Sequence, residues 1–169
     1  MLTPNIEIKI ADREDLVDLS ICVDDFLDFI ESFKTKFLNK ELLILKIYYN
    51  SILAGVLVAE DKSHEVDSLE KIIPNFYIHL VYINPKFRNK DLGKTLLKLF
   101  IKNQKDKGTA SIYTKLPKKY KKGITFFREN DFQQISCENN EVILVLNLWK
   151  DYGIRDCMMI GDYSNDIFS

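Results

Sequence analysis

The stretch Phe76–Ile83, FYIHLVYI, is apolar almost throughout, and Asn84-Pro85 closes it. A short apolar run ended by proline reads as a strand with little of either face in water. Beyond the proline the pattern turns amphipathic. From Leu92, the residues Leu96, Leu99 and Phe100 recur at helical spacing as far as about Lys107, and Gly108 stops the pattern. A buried strand passing through a short turn into a helix needs a sheet for the one and a packing face for the other. The class is therefore one that mixes the two, α/β or α+β.

The rest of the chain supplies both. Asn5–Ile10 sets Ile6, Ile8 and Ile10 against Glu7 and Lys9, the two-residue period of a half-buried strand. Asp12 is placed to cap a helix, with Asp15 three residues on, and Phe26, Ile30, Phe33 and Phe37 fall on one face of a second helix. Leu42–Tyr49 and Ile52–Glu60 are strand-like, with the polar pair Asn50-Ser51 between them as a hairpin turn. Residues 61–75 are polar and form a loop or a short helix. Beyond Gly108 come a strand at Thr109–Thr114, a basic linker Lys115–Lys122 around Pro117, and a short helix at Ile124–Asn130. Two strands, Phe132–Ile135 and Glu141–Leu148, joined by the turn Glu138-Asn139-Asn140, complete the order β-α-α-β-β-β-α-β-α-β-β. Residues 150–169 show weak periodicity and read as a tail, an added hairpin or a homodimer contact.

At 169 residues, 46% of them hydrophobic and 29% charged, the chain suits one domain with a sizeable core. Cys22, Cys137 and Cys157 are scattered and lack metal-ligand spacing, so neither a disulfide framework nor a metal site is expected. No apolar run approaches the roughly 20 residues of a bilayer span. The expected setting is a reducing cytoplasm with no membrane partner. A net charge of −1 hides an uneven distribution. Eight acids and one base, Arg13, lie from Asp12 to Glu31, whereas thirteen bases and two acids lie between Asn84 and Lys122. These segments are either two solvated faces or two sites for oppositely charged ligands.

The turn after Ile83 bears on that choice. A helix N-terminus presents unpaired N–H groups and a partial positive charge, which suits phosphate. Gly93 permits close backbone approach, and Arg88, Lys90 and Lys94 add full charges. The GxxxxGK[ST] and GxGxxG spacings of nucleotide-binding turns are absent.

Arg88-Asn89-Lys90-Asp91-Leu92-Gly93, which comes after Val81-Tyr82-Ile83-Asn84-Pro85, resembles a known motif. It is the [QR]-x-x-G-x-[GA] acetyl-CoA turn of the acyl-CoA-dependent N-acetyltransferase (GNAT) superfamily. The element order is similar to that superfamily over residues 5–149, and ITFFRENDF, Ile124–Phe132, looks like its late helix, which usually ends tyrosine-x-x-x-glycine-phenylalanine. The resemblance implies a single α/β (α+β) domain over residues 1–149, with the extension 150–169 after it. Its mixed, mostly antiparallel central sheet would have about seven strands flanked by about four helices, opening beside the fourth strand to admit acetyl-CoA. It implies that Val81, Tyr82 and Ile83 pair with the pantetheine arm and that an N–H near Ile83 polarises the thioester. Arg88, Asn89, Lys90, Asp91, Leu92, Gly93, Lys94 and Thr95 would hold the pyrophosphate. Lys118, Lys119, Lys121 and Lys122 either meet the 3′-phosphate or form a solvated linker. The implied activity moves an acetyl group from acetyl-CoA, as co-substrate and without a metal, to a primary amine. The acceptor would be a small cationic amine, a lysine or a peptide N-terminus, since the first two helices usually wall its site and here are acidic.

Two features depart from the pattern. Asp91 stands where glycine is preferred; aspartate tolerates unusual backbone angles, with its carboxylate turned from the pyrophosphate. Phe127 stands where a tyrosine often protonates the departing thiolate, and Asp131 where glycine precedes phenylalanine. Tyr120 or water then serves as the acid, or the thiolate leaves unaided. For the base, Tyr77, His79, Val81 and Ile83 share one face of the fourth strand by the two-residue period. His79 resembles, in this one position only, a histidine of the arylalkylamine N-acetyltransferases and is either a proton acceptor or a packed strand residue. Tyr77 is a second candidate, or a wall of the site. Two other readings stand beside this one. The first is a CoA-binding regulator without catalysis, which Phe127 and Asp91 support. The second is a nucleic-acid-binding module over Lys86–Lys122, which lacks aromatics interleaved with its cations and has the wrong net charge. Nucleic acid is thus not an expected partner.

Overall fold

The computed structural model describes residues 3–15, 33–63 and 74–149. The strands are Ile6–Ile10 (β1), Leu42–Tyr49 (β2), Ile52–Asp61 (β3), Asn75–Ile83 (β4), Ser111–Pro117 (β5), Gln133–Glu138 (β6) and Glu141–Asn147 (β7). The α-helices are Phe33–Leu38 (α1), Leu92–Asp106 (α2) and Lys121–Glu129 (α3). The class is α+β with seven strands, as the sequence predicts, and the described residues hold three α-helices rather than about four. At Asp12 the expected helix shows only a 3-10 turn, Arg13–Asp15. Its continuation lies outside the described residues, as do Phe26, Ile30 and residues 150–169.

The described residues fall into two units, one made of those up to Lys62 with Tyr77–Lys102, the other of those between Ser63 and Phe76 with those from Asn103 on. In the first, the strands lie in the order β1-β2-β3-β4, and β1/β2 and β2/β3 pair antiparallel. Asn50 and Ser51 turn the β2–β3 hairpin with φ of 50° and 69°, a backbone twist that matches the strands it joins. On one side of these strands Phe33 and Phe37 bring α1 against Ala11, Leu42, Ile44, Val56 and Val58, and Leu80 and Tyr82 of β4 pack on the same cluster. The intervening positions Leu45, Ile47 and Leu57 are buried as well. Burial on both sides is why β2 reads as a continuous apolar run instead of an alternating one.

Two local features hold this unit in shape. Lys46 is 5% exposed, and its ammonium donates to Asp15 Oδ1 at 2.7 Å, tying the 3-10 turn after β1 to β2. The turn is closed by Asp12, whose Oδ1 accepts the Glu14 N–H at 2.9 Å and whose N–H donates to Asp15 Oδ2 at 2.8 Å. At the other end, Gly55 of β3 faces the close of β4. A Cβ there would overlap the Tyr82 carbonyl oxygen and come within 2.5 Å of Ile83 Cδ1. The bare backbone is what lets β4 end flush with β3, where the Asn84 N–H donates to the Ala54 carbonyl at 2.8 Å.

In the second unit the order is β5-β7-β6, antiparallel throughout. Val142, Leu144 and Leu146 alternate inward along β7, and Asn139 and Asn140 make its turn with φ of 52° and 64°. β5 keeps register with β7 as far as Pro117 opposite Glu141, past the predicted end at Thr114. A proline at a strand's end costs no ladder bond in its interior, and α3 then starts at Lys121, so the basic linker shortens to residues 118–120. Helix α3 stops by reversal at Asp131, φ 72°. The Asp131 N–H donates to the Arg128 carbonyl and the Phe132 N–H to that of Phe127, the helix-ending pattern for which glycine is usual.

Candidate functional site

After Ile83 the chain makes a 3-10 turn, Pro85–Phe87, and enters α2. The Asn84 side chain accepts the Lys86 N–H at 3.0 Å and starts that turn. Arg88 folds back, its Nε donating to the Ile83 carbonyl at 2.9 Å. Asn89 and Asp91 then take left-handed backbone, φ 64° and 57°, a conformation that Asn and Asp tolerate better than most residues. The Asp91 carbonyl accepts both the Thr95 N–H at 3.0 Å and the Thr95 hydroxyl at 2.9 Å. Thr95 is thus the first intrahelical donor. The N–H groups of Leu92, Gly93 and Lys94, ahead of it, have no acceptor among the described residues. Leu92 is buried and anchors this end, while Arg88, Asn89, Lys90, Asp91, Lys94 and Thr95 are exposed. Lys90 leans over the Tyr49 ring, 5.1 Å from its centroid, and that ring in turn touches Phe87. Of the three cations expected at the turn, Arg88 and Lys90 are therefore engaged with their own unit.

A second cluster gathers on β4. Glu60, near the end of β3, is 2% exposed. Its carboxylate meets His79 Nε2 at 2.7 Å, Lys36 of α1 at 3.2 Å and Lys62 at 3.3 Å. The Tyr77 ring stands edge-on to the His79 ring, centroids 4.6 Å apart. Burial pushes the Glu60 carboxyl up, but the His79 and Lys36 hydrogen bonds and the Lys62 charge outweigh it and hold it below the usual range. Burial also pushes His79 below its ordinary 6.5. The Glu60 bond offsets this only in part, and the Lys36 and Lys62 charges add to the depression. At neutral pH the cluster is thus an ionised carboxylate, a neutral imidazole and two ammonium groups.

The strand alternation changes along β4. Glu60 pairs with Leu42 on the side that carries Val56 and Val58, and His79 reaches it there. Leu80 and Tyr82 pack on that same side, whereas Ile83 lies against Gly55. Unbroken alternation would place His79 with Ile83, so the register of faces slips by one residue between His79 and Ile83. Tyr77 and His79 stay together and part from Ile83, which the two-residue period groups with them.

Tyr120 belongs to the second unit. It precedes α3, is 53% exposed, and lays its ring against Gly123. Phe127 is buried between Phe126 and Phe132, ring centroids 5.3 and 5.1 Å away. Glu60 and Lys36 were not legible as site residues: Glu60 reads as the polar end of a strand and Lys36 as the wet side of a helix. The one available cue was a carboxylate closing a long apolar run. Of the eight acids from Asp12 to Glu31, only Asp12, Glu14 and Asp15 lie among the described residues, and Asp12 and Asp15 serve the turn and Lys46. Among the described residues no group of His, Cys, Asp and Glu could hold a metal ion, and no helix is long and apolar enough to cross a membrane.

No sequence-family profile matches the chain, and no curated protein matches it in sequence. Solved structures match it in fold. NAA60 of Arabidopsis thaliana, solved with acetyl-CoA, is similar at a TM-score of 0.71 and 11% identity, over 85% of this chain and 99% of that one. The PaiA N-acetyltransferase of Thermoplasma acidophilum, solved with coenzyme A, gives 0.63 at 20% identity, over 85% of this chain and 99% of that one. For the ribosomal-protein-S18-alanine N-acetyltransferase of Escherichia coli the values are 0.65 and 15%, over 85% and 94%. At such identities the likeness is one of fold.

Proposed function

We propose that this chain, which has the fold of the N-acetyltransferases just described, is a cytoplasmic enzyme that moves an acetyl group from acetyl-CoA to a primary amine. The observation that carries the reading is the turn after β4, where three successive N–H groups, Leu92 to Lys94, stand without acceptors among the described residues at the start of a helix. Such a terminus suits a pyrophosphate, and the exposed Lys94 adds charge beside it. In this reading the backbone of Val81–Ile83 receives the pantetheine arm. The neutral amine attacks the thioester carbon, its C–N bond forms as the C–S bond breaks, and CoA leaves as thiolate. His79 accepts the proton shed by the amine nitrogen. Phe127 offers no proton, so water supplies one to the thiolate, or the thiolate leaves unaided. Tyr77 backs the His79 ring. A small cationic amine, a lysine side chain and a peptide N-terminus all satisfy this chemistry.

A CoA-binding protein without catalysis is the second reading, favoured by the burial of Phe127 where an acid would serve. Melting and thiol release separate the two. Acetyl-CoA at a hundred times its Kd stabilises the fold by about 2.7 kcal/mol, and an amine and peptide panel then releases free thiol. A shift without thiol for any amine favours the second reading; no shift at millimolar acetyl-CoA rejects both.

Asp91 immediately precedes the proposed cradle and carries a charge like that of the phosphates. Asp91→Gly removes that charge and relaxes the φ of 57°. The expected result is acetyl-CoA binding tightened about tenfold, or about 1.4 kcal/mol, by titration calorimetry. Unchanged affinity would mean that the phosphates lie elsewhere.

A further inference from the structure

We propose that Glu60 is a positioning residue for His79: its buried carboxylate accepts the Nε2–H of the ring and so fixes the tautomer in which Nδ1 is left as the proton acceptor. The proposal takes its catalytic consequence from the acetyl-transfer reading; its geometry does not depend on it.

A neutral imidazole carries one N–H, and an ionised carboxylate only accepts hydrogen bonds. At 2.7 Å from Glu60 Oε1, Nε2 must be the nitrogen that bears the proton. Among the described residues, the groups around the pair reinforce this. Lys36 comes from α1, Lys62 lies just past β3, and both are donors only; Tyr77 of β4 offers the edge of its ring to His79. Glu60 is thus an acceptor among donors, kept ionised by two ammonium groups, and among the described residues His79 has no partner but Glu60 to which Nε2 can donate. The arrangement uses the logic of any carboxylate that orients a histidine base.

Glu60→Gln tests it sharply, because an amide has one acceptor oxygen. Lys36 at 3.2 Å and Lys62 at 3.3 Å compete for that oxygen. The NH2 group then turns to His79, Nε2 has to accept, and the proton moves to Nδ1. The base is blocked although the ring stays in place.

The chain has two histidines, His64 and His79, so ¹⁵N-histidine labelling of the whole protein gives two rings to assign. Long-range ¹H–¹⁵N spectra read the tautomer with no substrate present. The expected results are an Nε2–H ring at His79 in the parent, an Nδ1–H ring in Glu60→Gln, and recovery of the parent tautomer in Glu60→Asp. With acetyl-CoA and an accepted amine, Glu60→Gln should lower kcat about 10²- to 10⁴-fold, the range over which a positioned general base contributes, because that base is blocked. KM for acetyl-CoA should not change, and Glu60→Asp should restore part of the rate. An Nδ1–H ring in the parent overturns the proposal, as does an unaltered tautomer or an unaltered kcat in Glu60→Gln. Should that variant fail to fold, the parent spectrum still decides. An inactive protein with the expected tautomers would reject acetyl transfer and uphold the Glu60–His79 geometry. An active one indifferent to Glu60→Gln would do the reverse.

Discussion

His79→Ala lowers kcat for acetyl transfer by about 10²- to 10⁴-fold, the range over which a positioned general base contributes, while acetyl-CoA affinity stays nearly the same. The two effects separate because the ring is engaged with Glu60, whereas the proposed phosphate contacts are the backbone N–H groups of Leu92–Lys94. The fold should survive: without the ring, Glu60 still faces Lys36 and Lys62, so no buried charge is left unpaired. The pH profile adds a second check. Burial, with the charges of Lys36 and Lys62, holds His79 below its ordinary 6.5. The ring therefore stays neutral, and able to accept a proton, to lower pH than a free histidine. The acid limb of kcat/KM should turn down below 6.5 and vanish in His79→Ala. Stability has the same sign. With a folded value below the unfolded one, the unfolded chain takes up protons first, so the His79 contribution is full above the unfolded value and lost as pH falls through that window. A kcat unchanged in His79→Ala, measured by thiol release, would leave His79 as a packing residue.

Asp15→Asn destabilises the fold by about 3–5 kcal/mol, because it leaves the Lys46 ammonium buried without its counter-charge. Lys46 is 5% exposed, too deep to regain its hydration. At about 2–4 °C per kcal/mol for a chain of this length, the melting temperature should fall by about 6–20 °C, read by calorimetry. Joining it to Lys46→Met should recover most of the loss, since replacing both partners of a buried pair removes the desolvation along with the attraction. A fall within about 2 °C in the single variant would mean that water reaches Lys46. The pair also shapes the response to pH. The Lys46 hydrogen bond, outweighing burial, holds the Asp15 carboxyl below its usual 3.8. Its contribution is present above that value and disappears as pH falls through the lower folded one. Burial pulls the Lys46 ammonium down, but the Asp15 and Tyr48 hydrogen bonds raise it above 10.5. Its share is therefore held at lower pH and lost only as pH rises through the raised value.

What the sequence revealed was local chemistry. Asn50-Ser51 and Asn139-Asn140 mark hairpins because asparagine and serine accept left-handed backbone, and Gly108, φ 82°, ends α2 for the same reason. The strand–turn–helix from Phe76 to Lys107 was legible because a short apolar run gives way at Asn84-Pro85 to helical spacing within a few residues. Long-range pairing was not. Glu60 and His79 lie 19 residues apart, and Lys46 and Asp15 lie 31 apart. Nothing in either neighbourhood says that a carboxylate waits across the strands. Lys46 inside an apolar strand looks like a solvent-facing position until the partner that buries it is known. The slip of faces in β4 is hidden for a related reason: when both sides of a strand carry apolar residues, the side chains are alike and the period carries no mark of where it breaks.

Asp91 and Asp131, at φ 57° and 72°, stand where the resembling motifs have glycine. An L-residue strains in that conformation by about 1–2 kcal/mol, less for aspartate than for most. Glycine avoids the strain but gives the unfolded chain more freedom to lose, worth about 0.4–1 kcal/mol. The terms oppose and nearly cancel, so for folding the two residues are close to exchangeable at such points. A turn can therefore keep its path without the glycine by which its motif is written.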